Sequence, residues 1–192
     1  ATRISLTLIP IVLGAMLLGP LAGAFLGALF GAIVVIAALT GADAFTLVLL
    51  QDHPVLTVLL CLVKGAAAGL VAGLIYRALR GKSERAAAIV ASLAAPVVNT
   101  GLFILGALLM SDTLSANFVA DGETVLYFLV IGCAGINFLV EFAVNAVASP
   151  ALYAVERVVE KSVRGRRAKR VGAQGKAEQE QGAARSDSAR KI

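Results

Sequence analysis

Residues 4–42 read ISLTLIPIVLGAMLLGPLAGAFLGALFGAIVVIAALTGA and contain no Asp, Glu, Lys, Arg or His. One membrane crossing takes about 20 apolar residues, so this run holds a full span and much of another. The Gly19-Pro20 pair divides it into a stretch from about Ile4 to Leu18 and one from Leu21 to about Thr40, because proline lacks the N–H that would continue a helix but suits its first turn. The remainder of the 192 residues has the same character: 59% are hydrophobic, 15% are charged and none is Trp. Mean hydropathy is +0.88, whereas a soluble domain carries roughly a quarter charged residues. Three further hydrophobic stretches run from Pro54 to about Leu79, from Arg85 to Met110, and from Thr124 through Pro150 towards Val159. In lipid the backbone must satisfy its own hydrogen bonds, and the alternation of a barrel is absent. The expectation is therefore an all-α integral membrane protein: a bundle of five transmembrane helices over residues 1–160, then a basic tail over 161–192. A soluble enzyme, a secreted disulfide scaffold and a disordered regulator are excluded.

Charge orients the bundle. The formal +5 combines ten Lys or Arg against three acids after Glu160 with seven against nine up to and including it. The connection carrying Arg77, Arg80, Lys82 and Arg85 is basic, as is Lys161 to Arg170. The connections Gly41 to His53 and Ser111 to Glu123 carry Asp43, Asp52, Asp112, Asp121 and Glu123 but no Lys or Arg. By the positive-inside rule the basic ends are cytoplasmic, which makes this a multi-pass protein of the cell membrane with a cytoplasmic C-terminus. The basic flank reads as an orientation signal and not as a nucleic-acid arm. Counting back, the first stretch begins outside, as if an earlier helix or a cleaved signal preceded it. Beyond Lys176 the tail is too polar to pack and is expected to be disordered. Tyr127 and Phe128 fall at the outer aromatic belt, and Tyr76 and Tyr153 at the inner one.

Gly19, Gly23, Gly27 and Gly31 recur every four residues, as do Gly65, Gly69 and Gly73. Such ladders let helices approach closely in lipid, either within the bundle or against another subunit. Ionisable groups deep in apolar stretches cost at least about 2.5 kcal/mol and face a cavity or a partner. Lys64 lies about ten residues, roughly 15 Å, into its helix. Asn99 follows Pro96, which leaves the Ser92 carbonyl without its helical donor. Asn137, Glu141 and Asn145 are four apart, so they form one stripe. Lys64 and Glu141 read either as a buried ion pair or as ligand contacts, and both can hold. Asn99 and Asn137, nearer the outer loops, read as ligand contacts; Asn145 and Ser149, further in, read as helix–helix hydrogen bonds.

Several chemistries have no residues to carry them. There is no GxxxxGK[ST] phosphate loop, no GxSxG and no HExxH, and the lone histidine, His53, sits in an outer loop. Cys61 and Cys133 lie in separate apolar stretches, so neither a metal site nor a disulfide is expected. No cofactor and no enzymatic activity are expected, and what remains is a binding and translocation unit.

In order along the chain, LIPIVLGAMLLGPLAGAFLGALFG (8–31), PVLTVLLCLVKGAAAGLVAGLIYRAL (54–79), AAPVVNTGLFILGALL (94–109) and GINFLVEFAVNAVASPAL (135–152) resemble the substrate-binding S components of energy-coupling factor (ECF) vitamin transporters. The resemblance implies six helices with both ends cytoplasmic, one more helix than this chain shows. That first helix carries the family's AxxxA motif for docking the coupling protein. It also implies a receptor for a water-soluble vitamin or precursor, its site facing outwards beneath the outer loops, working with a T component and two ABC ATPases. Riboflavin and pantothenate suit the Asn, Lys and Glu set better than thiamine, whose binders are richer in Trp. Two other classes compete: an ion-coupled secondary transporter with Glu141 as its proton or cation site, and an oligomeric scaffold assembled through the glycine ladders.

Overall fold

Prolines and glycines start the helices and polar side chains cap them. In the computed structural model, which describes residues 7–190 and side chains as far as Arg166 except at Arg164, the elements are α1 (Leu8–Leu18), α2 (Pro20–Leu39), α3 (Ala44–Asp52), α4 (Pro54–Leu79), α5 (Glu84–Leu108), α6 (Ser111–Asn117), a single turn α7 (Val125–Tyr127), a π-helical stretch (Phe128–Gly135) and α8 (Ile136–Arg190). The start of the first hydrophobic stretch, Ile4, lies outside the described residues. Pro20 and Pro54 occupy the first turns of α2 and α4, where no donor is needed. Asp43 caps α3 by accepting from the Thr46 N–H at 3.1 Å, and Ser83 caps α5 through the Ala86 N–H at 3.3 Å.

Among the described residues, four segments are long and apolar enough to cross a membrane: α2, α4, α5 and Val125–Val163. Helix α1 has 11 described residues, about 16 Å of rise against a hydrocarbon core of about 30 Å. Gly19, at φ +100°, turns the chain so that α1 packs back along α2, with Gly14 against Leu26 and Ala15 against Gly23. The acidic connections, read from sequence as loops, contain the short helices α3 and α6.

The glycine ladders face each other. A Cβ on Gly23 would fall on the Gly69 carbonyl, one on Gly27 on that of Gly65, and one on Gly31 on that of Cys61; Gly73 meets Pro20 in the same way. Helices α2 and α4 thus run antiparallel in backbone contact, where dispersion replaces the hydrophobic effect that lipid cannot supply. The basic end is closed by Val12, Met16, Ala72, Tyr76, Ala87, Ala88, Ala91, Ala95 and Leu152, a core whose alanines bring α4 and α5 together. Tyr76, expected in the inner aromatic belt, belongs to this core at 2% exposure, because the small side chains around it leave room for its ring. The opposite end is closed by Leu49, Ala107, Met110, Leu114 and Leu129. Along α2, Leu21, Phe25, Leu29, Ile33 and Ile36 are all exposed, an apolar face that suits lipid and not water.

The chain divides into two units, Ala1–Tyr153 and Ala154–Ile192. In the second, where a disordered tail is expected from the sequence, the backbone runs as helix to Arg190; its Ala, Glu, Gln, Lys and Arg are strong helix formers even where they cannot build a core.

Candidate functional site

On the buried face of α8, every fully buried residue between Ala134 and Leu152 is polar: Glu141, Asn145 and Ser149. Asn137, one turn above, is half-buried. These side chains are wired along their own helix. Asn137 Nδ2 donates to Glu141 Oε1 at 3.3 Å, and Asn145 Nδ2 donates to the Glu141 backbone carbonyl at 2.8 Å. Ser149 Oγ donates to the Ala146 carbonyl at 2.8 Å, the group that Pro150 leaves without a helical donor. The serine thereby keeps a proline tolerable within the membrane.

Helix α5 presents Ala88, Ser92, Ala95 and Asn99, all buried and spaced to share one face. Asn99 Oδ1 and Ser92 Oγ have no hydrogen-bond partner among the described residues. Because Leu129 packs in the cluster of Ala107 and Leu152 in that of Ala87 and Ala91, α8 descends antiparallel to α5. That register sets Asn137 and Glu141 at about the depth of Asn99.

Lys64 does not join this group. Its Nζ lies 4.9 Å from the ring centroid of Phe103, a cation–π arrangement. Lys64 also lines a shallow groove with Leu56, Leu60, Leu102 and Gly106. The groove opens between α4 and α5 on the apolar exterior and does not include Asn99, Asn137 or Glu141.

Next to Phe103 the short helices α3 and α6 form a cover over this end of the bundle. Phe45 on α3 lies 6.1 Å from Phe103 and 4.9 Å from Phe118, and Phe118 stacks on Phe128 at 6.0 Å. Phe128, expected in the outer aromatic belt, is thus part of the cover, while Tyr127 is exposed. The C-terminal end of α3 and the start of α6 are joined twice. Thr113 Oγ1 donates to Asp52 Oδ2 at 2.9 Å, and His53 Nε2 lies 3.3 Å from Asp112 Oδ1. The Thr113 backbone N–H foremost, with the His53 imidazole adding to it against some desolvation, holds the Asp112 carboxyl below the ordinary carboxylate range.

Sequence reading singled out Asn99, Asn137 and Glu141, and the structure brings Asn137 and Glu141 into contact. It missed the Asp52, His53, Asp112 and Thr113 latch, although a lone histidine between acidic loops was a usable signal. It also passed over Ser92 as a side chain, although Ser92 sits two turns before Asn99. Cys61 and Cys133 are free thiols.

The family model for the ECF transporter, substrate-specific component, matches residues 1–153. The chain belongs to this family. It is thus a membrane-embedded substrate-binding subunit of an ECF transporter. No curated protein and no solved structure matches it. In this S component the matched region includes all of the first compact unit, and so the polar stripe, the paired glycine ladders and the aromatic cover.

Proposed function

We propose that this S component captures a water-soluble vitamin or vitamin precursor, with riboflavin and pantothenate as the candidates, and delivers it inward together with a T component and two ABC ATPases. The observation that carries the reading is the polar buried face of α8. Asn99 Oδ1, Asn137 Oδ1 and Asn145 Oδ1 are buried without a hydrogen-bond partner among the described residues, and a buried polar atom left so costs about 1–3 kcal/mol; a polar ligand makes such a face useful. Asn99, Asn137 and Glu141 are proposed as ligand contacts, with α3 and α6 as the cover of the site. Lys64, over Phe103, is proposed to act at the upper rim through that ring. The cover is assigned to the cell exterior and the basic C-terminus to the cytoplasm, on the distribution of loop charge. The test is purification of the full chain from its membrane, with identification of any copurifying small molecule by mass spectrometry and by its ultraviolet–visible spectrum. A bound vitamin or precursor is expected; a preparation that carries none and binds none when challenged overturns the reading.

A further inference from the structure

The two faces of an asparagine amide have the same shape, and only their partners tell nitrogen from oxygen. For Asn145 the partner decides it. Its nitrogen donates to the Glu141 backbone carbonyl at 2.8 Å, a group that can only accept, so Oδ1 must point the other way. The residue is 2% exposed, and this oxygen has no hydrogen-bond partner among the described residues. Asn137 is held in the same sense: its nitrogen donates to Glu141 Oε1 at 3.3 Å, and its Oδ1 is likewise buried without a described partner. Eight residues separate the two oxygens, about 12 Å along the helix axis. The stripe therefore offers acceptors, at two levels, in a setting where acceptors facing acceptors repel strongly because little water screens them.

From this we propose that the ligand of this S component turns hydrogen-bond donors, N–H or O–H, towards Asn137 Oδ1 and Asn145 Oδ1, and that a carboxylate is rejected there. The proposal rests on the vitamin-binding reading above and narrows it. Riboflavin, neutral, with a ring N–H and a chain of hydroxyls, meets the requirement along its length. Pantothenate carries a carboxylate at one end, and its alcohol analogue pantothenol replaces that group with a donor.

The test titrates the purified full chain with riboflavin, pantothenate and pantothenol, and measures the affinity of the best binder and the apo melting temperature for wild type and Asn145→Leu. Riboflavin or pantothenol is expected to bind more tightly than pantothenate. Asn145→Leu is expected to weaken that binding by about fivefold to over a hundredfold without lowering the apo melting temperature, because the Glu141 carbonyl keeps its helical donor. Pantothenate binding at least as tightly as pantothenol and riboflavin overturns the proposal and leaves the vitamin reading standing. An Asn145→Leu protein that melts lower but binds equally well also overturns it, by making Asn145 a helix–helix tie. A chain that copurifies no small molecule and binds none of the three removes the vitamin reading, and this inference with it.

Discussion

His53 Nε2 lies 3.3 Å from Asp112 Oδ1, and the neighbouring residues Asp52 and Thr113 are joined at 2.9 Å, so the C-terminal end of α3 and the first turn of α6 are tied by two adjacent links. Residues 59 and 61 positions apart in sequence are thereby made to move as one piece over the end of the bundle. Replacing Asp112 by Asn and Thr113 by Ala together is expected to raise amide hydrogen exchange across 44–52 and 111–117 while leaving α4 and α5 protected. Unchanged exchange in both segments would show that the aromatic contacts alone hold the cover.

Acid should loosen one of the two links. Because the folded Asp112 carboxyl titrates below its ordinary value of 3.8, its ionised form favours the closed cover at every pH above about that value. The contribution fades as pH falls through the lower, folded value. Followed downward from pH 5, the difference in melting temperature between wild type and Asp112→Asn is thus expected to shrink below about pH 3.8. A difference that instead grows below that value would contradict the assignment.

The glycine ladders admit no side chain. Gly27→Ala places a methyl on the Gly65 carbonyl and is expected to cost about 1–3 kcal/mol, with Gly27→Leu costing more. Gly101, with open space around its Cβ position, serves as the control: Gly101→Ala should be neutral or stabilising by up to about 1 kcal/mol. Thermal melting of the three variants in detergent measures both effects.

Double-mutant cycles separate the two partners considered for Lys64. Coupling between Lys64 and Phe103 is expected at about 0.5–2 kcal/mol, and coupling between Lys64 and Glu141 within about 0.5 kcal/mol. The reverse order would restore the ion pair.

Cysteine accessibility checks the orientation. A cysteine at Lys82 should be reached by impermeant reagents only from the cytoplasm, and one at Asp112 only from outside, following the basic and acidic connections. Opposite labelling at both positions would invert the topology.

What could be read in the sequence was whatever depends on one element at a time. The charge-free run, the breakers Gly19-Pro20 and Pro54, and the four-residue spacing of Asn137, Glu141 and Asn145 are local patterns, and they locate the helices and the stripe. Pairing was out of reach. That Gly27 meets Gly65, that Lys64 lies over Phe103, and that His53 finds Asp112 all depend on how distant helices are set side by side, which no periodicity encodes. The short helices α3 and α6 were hidden for a related reason: a single turn or two of helix is marginal alone and is held by the contacts at its ends. The tail shows the converse, since helical propensity survives there where packing cannot be inferred.

The π-helical stretch Phe128–Gly135 acts as a phase adjuster for everything that follows it. A turn closed by i→i+5 hydrogen bonds holds more residues than an α turn, so this stretch takes up about one residue beyond what α geometry over the same rotation would need. Deleting one residue between Gly132 and Gly135, with relaxation to α geometry, should therefore leave Asn137, Glu141 and Asn145 facing the interior, whereas a deletion between Asn137 and Asn145, where each residue turns the helix by about 100°, should split the stripe. A deletion scan should accordingly find its mildest loss of assembled protein within FLVIGCAG.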